Sequence, residues 1–135
     1  VLGSRGLGDV YKRQQEDRGA FVGGSAVISA QLSNFTKGWF VGDFAPTLCR
    51  TQVVEVAVKK FRAGETEAAH FHKIATEYTV VISGRVRMFE REWKEGDVVV
   101  AEPGDKTSFT ALTDAVLTVV KFPGAPHDKY LVSDS

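Results

Sequence analysis

The stretch that decides the fold runs from Gly64 to Gly84: GETEAAHFHKIATEYTVVISG. His70 and His72 sit two apart, and on a β-strand residues at i and i+2 point to the same face. Phe71 between them points the other way. Lys73 to Thr76 gives the chain room to turn back, so that Glu77 opens the next strand. Its carboxylate is then expected to meet the two imidazoles from across a strand pair. Two neutral nitrogens and one carboxylate suit Fe(II), Mn(II), Zn(II), Ni(II) or Co(II). Gly64 and Gly84 bracket the unit where tight turns are needed.

Working outward, the flanks read as short strands separated by turn signals. Thr51 to Phe61 is valine-rich and partly alternating, as a half-buried strand requires. Ala68–Lys73, Glu77–Ser83, Arg85–Phe89, Val98–Ala101, Ser108–Leu112 and Val116–Phe122 follow the same logic. Trp39-Phe40-Val41, between Gly38 and Gly42, is a further short strand, and Val27, Ile28 and Leu32 suggest the start of another. Glu90 to Glu95 reads as a solvated turn carrying Trp93, and the tail PGAPHDKYLVSDS mostly as loop. No segment carries a long apolar stripe at helical spacing, so the chain is expected to be all-β, a sandwich or barrel.

The Gly64–Gly84 stretch resembles the first signature motif of the cupin superfamily at each of its marked glycine, histidine and glutamate positions. GDVVVAEPG, residues 96–104, is similar to the opening of the second motif. The resemblance spans roughly Thr51 to Phe122 and implies a cupin-type jelly roll, a double-stranded β-helix. It also implies a metal site on His70, His72 and Glu77, and a homodimer that hides edge strands. The sequence departs from the pattern at one place. A fourth ligand, a histidine shortly after Pro103-Gly104, is missing, and Thr107 stands nearest its position. His127 is the one other histidine, in the tail, and Lys106 has no lone pair to offer a metal. The ligand set is thereby reduced to two histidines and one carboxylate, as in facial-triad sites that keep positions open.

Composition bounds the rest. The 135 residues allow one domain, and 17 basic residues balance 17 acidic ones, so no charge excess points to nucleic acid or an anionic membrane. Cys49 is the single cysteine and has no histidine or aspartate at motif spacing, which speaks against a disulfide and a catalytic thiol. No apolar run is long enough to span a bilayer, and the expected location is the cytoplasm. Residues 1–14, VLGSRGLGDVYKRQ, resemble a translated sequencing-adapter read-through. Residues 1–20 are therefore read as an artefactual or disordered segment, and 21–135 as one domain with its core at about 51–122.

Thr79, Val81 and Ser83 share the face of Glu77 and are candidates to line the cavity, as are Thr107 and Ser108. Arg85 and Arg87 share a face that reads as solvated, and of Lys59 and Lys60 at most one can point inward. The expected ligand is a small polar molecule, a sugar or a carboxylic acid. The resemblance implies a metal-dependent enzyme, an isomerase or epimerase or a dioxygenase. The alternative is a non-catalytic small-molecule-binding or structural barrel that has lost full metal ligation.

Overall fold

The computed structural model describes residues 27–133; the expectations for residues 1–20, and for 21–26 as the start of the domain, lie outside the described residues. Among the described residues there are ten strands: β1 (Trp39–Val41), β2 (Glu55–Phe61), β3 (Thr66–Phe71), β4 (Thr76–Ser83), β5 (Arg85–Met88), β6 (Arg91–Lys94), β7 (Val98–Ala101), β8 (Thr107–Ala111), β9 (Ala115–Phe122) and β10 (Tyr130–Leu131). They form two five-stranded sheets, in the orders β1-β2-β9-β4-β7 and β10-β3-β8-β5-β6, with every strand pair antiparallel. Alternation along the strands puts one face of each sheet inward. Ala57, Val81, Val99, Leu117 and Val119 from the first sheet meet Val86, Met88, Phe109 and Ala111 from the second, and all are buried. Aromatic side chains fill the flanks: Phe61 lies 4.4 Å from Phe109 between ring centroids, and Trp93 donates from Nε1 to the Met88 carbonyl at 2.9 Å.

Three expectations for the elements are corrected. Val27 and Ile28 belong to no strand, and Leu32–Asn34 and Thr36–Gly38 are two short 3-10 turns. They bring the chain to β1 at a point where only glycine fits. Gly38 has φ +81, and a Cβ there would collide with the Val58 carbonyl. The charged segment after Phe89 is no solvated loop either. Phe89 and Glu90 form a two-residue turn with φ +52 and +60, and Arg91–Lys94 returns as β6 against β5. Both central residues are left-handed, as in a type I′ hairpin. The usual Asn-Gly signal is replaced by Phe-Glu, so the turn leaves no mark in the sequence. The tail also does more than loop: β10 pairs with β3, Tyr130 opposite Phe71 and Leu131 opposite His70.

Among the described residues no helix is long and apolar enough to cross a membrane.

Candidate functional site

β3 and β4 lie in different sheets, so Glu77 does not face the histidines across a strand pair. It approaches them from the opposite sheet. The three-residue segment Lys73–Ala75 makes that crossing, and a side chain that no motif or spacing singles out holds it. Asp128 is 5% exposed, and its carboxylate accepts from the amides of Lys73, Ile74 and Ala75 at 2.9–3.2 Å. Burial opposes its charge, but those backbone donors outweigh it and hold the carboxyl below its usual range. On the other side, the His72 carbonyl accepts from the Gly104 amide at 2.8 Å, tying the first motif to the Pro-Gly turn of the second.

His70 and His72 meet edge to face, with ring centroids 5.5 Å apart. His70 Nδ1 is 2.9 Å from the Ala68 carbonyl; as the donor there, it leaves Nε2 with the lone pair. His72 is 5% exposed, and its Nε2 is buried without a hydrogen-bond partner, 3.8 Å from Glu77 Oε2. That distance is beyond a hydrogen bond. It is no ion pair either, because burial first, then the charges of Lys121 and His70, push the His72 pKa down to about 4. The imidazole is neutral at pH 7, as a metal ligand must be.

The donor types therefore fit a divalent transition metal: a shielded, unpartnered imidazole nitrogen, a second imidazole oriented by a carbonyl, and a carboxylate. The three side chains are drawn together but not closed into a ligating cage. Among the described residues no three His, Cys, Asp or Glu side chains form a group able to hold a metal ion.

A cavity of about 190 Å³ opens between the sheets beside this cluster. His70 and Glu77 line it, with Thr79, Thr107 and the apolar side chains of Met88, Phe109, Leu117 and Val119, whereas His72 is not among its lining residues. Two larger recesses, of about 440 and 490 Å³, contain no histidine.

Of the other candidate cavity residues, Val81 is fully buried in the apolar core, and Ser83 and Ser108 are exposed. Ser83 is turned away because the β4–β9 register shifts between Val81 and Ser83, which ends the simple alternation. Ser108 is the neighbour of Thr107 on one strand, and adjacent strand residues face opposite ways. Thr107 sits opposite His70 on β8. Its hydroxyl is already engaged, accepting from the Phe89 amide at 2.8 Å and donating to the Ser108 carbonyl at 2.7 Å.

The cavity also holds charges, of which the sequence reading raises only Lys59, as one of a pair with Lys60 of which at most one can point inward. Lys37, Lys59, Lys121 and Lys129 line it together with Glu67. Burial opposes the Glu67 charge, but the charge and hydrogen bond of Lys59, then Lys129 and His70, together lower its pKa. Lys121 was open to detection, since it continues the inward alternation of Leu117 and Val119. Glu67 was not, because a register shift between Glu67 and His70 brings residues three apart to one face.

No protein-family model and no curated protein sequence matches the chain. Solved structures match it in fold. A protein with a double-stranded β-helix domain from Klebsiella pneumoniae is 24% identical, with a TM-score of 0.56 over 61% of this chain and 72% of that one. An RmlC-like cupin from Shewanella frigidimarina is 18% identical, with a TM-score of 0.51 over 58% of this chain and 72% of that one. Oxalate decarboxylase from Bacillus subtilis is 21% identical, with a TM-score of 0.53 over 62% of this chain and 25% of that one. Two antiparallel sheets closing on an inner cavity, matched by these structures, identify the fold as that of the cupins, an RmlC-like double-stranded β-helix.

Proposed function

We propose that the protein binds a divalent transition metal on His70, His72 and Glu77 and acts in the cytoplasm as a metal-dependent enzyme on a small polar molecule. The observation that carries this reading is the buried His72 Nε2, left without a partner 3.8 Å from Glu77. A buried, unsatisfied nitrogen costs about 1–3 kcal/mol, and a metal bond is one way to satisfy it. Bacillus subtilis oxalate decarboxylase, which shares the fold, has Mn(II) centres. A bound ion would supply Lewis acidity toward a substrate oxygen. The chain's own residues would supply the rest. Asp128 fixes the crossing segment that sets the spacing of His72 and Glu77. The Ala68 carbonyl orients His70, and Leu117 and Val119 give the cavity a water-poor wall.

Assembly as a homodimer belongs to the same proposal. Tyr78, Val98 and Val100 stand 41–57% exposed on the outer face of β4 and the edge strand β7, and a second copy of this chain, whose net charge is zero, would cover them. A metal-free small-molecule receptor is the second reading. The observation in its favour is Thr107, whose hydroxyl is committed to backbone groups at the place of a fourth ligand.

Elemental analysis of the purified protein beside a His72→Ala variant separates the two. The expected result is about one equivalent of metal in the parent and loss in the variant. A folded parent that stays metal-free after loading overturns the metal reading and leaves the receptor. Turnover on a panel of sugars and carboxylic acids then tests for catalysis.

A further inference from the structure

The histidines and Glu77 do not account for the charge of the cavity. Lys37, Lys59, Lys121 and Lys129 line it against two carboxylates, Glu67 and Glu77. Glu67 is already engaged: Lys59 Nζ donates to both its oxygens at 3.1 Å, and Lys129 Nζ lies 3.9 Å from one of them. Among the described residues, Lys37 and Lys121 form no ion pair.

These two lysines are placed differently from each other. Lys121 is deep. It sits beside Glu77 in the β4–β9 ladder, and its ammonium lies 4.9 Å from the centre of the Trp39 ring. An aromatic face holds a cation in position without neutralising it. Lys37 is at the mouth, lining both the cavity and the adjoining recess of about 440 Å³. It reaches that place through a left-handed backbone, φ 51 and ψ 28, which side-chain-bearing residues seldom adopt.

We infer that the cavity is an anion site, taking a small organic carboxylate with Lys121 as the inner anchor and Lys37 at the entrance. The inference rests on the proposal that the cavity is a small-molecule site, and not on the metal. The apolar wall at Leu117 and Val119 strengthens the field of the ammonium groups, as low-dielectric walls do. The volume, about 190 Å³, equals about six water molecules of liquid, which fits a few-carbon acid and not a large polyanion. The arginines Arg85 and Arg87 take no part, because both are exposed on β5 and neither lines the cavity.

Malonate and its uncharged analogue malonamide, titrated into chelator-dialysed protein and followed by NMR amide shifts, test the inference. The expected result is saturable malonate binding about tenfold or more tighter than malonamide binding. It should weaken with salt, drop about tenfold or more in Lys121→Met, and stay unchanged in Lys60→Met, whose side chain is exposed on β2. Equal affinity for malonamide, no saturable malonate shift, or malonate binding that survives both Lys121→Met and Lys37→Gln overturns the anion site. Because no metal is needed for this titration, failure of the metal reading by elemental analysis and failure of the anion site are told apart.

Discussion

Residue by residue, the sequence was most informative where a side chain's chemistry and its strand parity agree. His70 and Glu77 are such residues, and both line the cavity. Parity does not carry His72, which follows the end of β3 and lies outside the lining, although its ring centroid is 5.5 Å from that of His70 and its Nε2 is 3.8 Å from Glu77. Parity failed at Glu67 and Ser83, next to register shifts that a two-residue period does not carry. Thr107 shows how one position can trade roles. It pairs with His70 across β3 and β8, so its side chain projects beside that imidazole. Thr107→His is expected to add a third imidazole and raise metal affinity about tenfold or more, read by competitive metal titration. The same change removes the hydroxyl that accepts from the Phe89 amide, so Tm should fall by the equivalent of about 1–2 kcal/mol. Unchanged affinity would mean that the site is not built on His70.

Strands β2, β4, β7, β8 and β9 were legible to within a few residues because valine-rich alternation and turn residues marked them together. β6 and β10 were not. Arg91–Lys94 is charged and short, and the turn before it uses Phe89 and Glu90 where glycine or asparagine is usual. β10 is two residues of a proline-rich tail, and its pairing is set by a partner strand far away in sequence. The hairpin offers a measurable test of strain. Glu90 has φ +60 and an exposed side chain, so Glu90→Gly should relieve the left-handed penalty with little lost packing. A net gain of about 0.5–1 kcal/mol in urea unfolding is expected, glycine's greater unfolded-state freedom offsetting part of the relief. A loss of stability would show that the Glu90 side chain contributes to the turn.

For the molecule as a whole, His72 and Asp128 are two of the groups that set how it responds to acid, in separate windows, with Glu67, whose pKa is also lowered, adding to the acidic end. His72 has a folded pKa of about 4 against about 6.5 when unfolded, so below pH 6.5 the unfolded chain binds the proton more readily. Stability contributed by keeping this ring neutral is complete above pH 6.5 and is lost as pH falls toward 4, on the order of 3 kcal/mol in all. Asp128 is an acid held below its ordinary 3.8. Its contribution is complete above that value and is lost as pH falls further, through its lowered folded pKa. Urea unfolding from pH 7 to pH 3 should therefore show two successive losses. His72→Leu should flatten the first and Asp128→Asn the second; an unchanged profile in either variant would sink the corresponding assignment. The barrel as a class was readable from the sequence, but its charged interior was not. Lys37, Glu67 and Lys129 reach the cavity through a 3-10 turn, a register shift and a tail segment, none of which alternation reports.

Asp128 turns the connection between His72 and Glu77 into a latch. Its one carboxylate grips three consecutive amides, while the strands on either side are knitted to other neighbours: β3 to β8 and β10, β4 to β7 and β9. Releasing the latch would free the corner that carries the proposed metal ligands without unravelling the weave. The strand ladders and the proposed ligand corner are thus held by different contacts, so the corner should accept substitution while the scaffold stands.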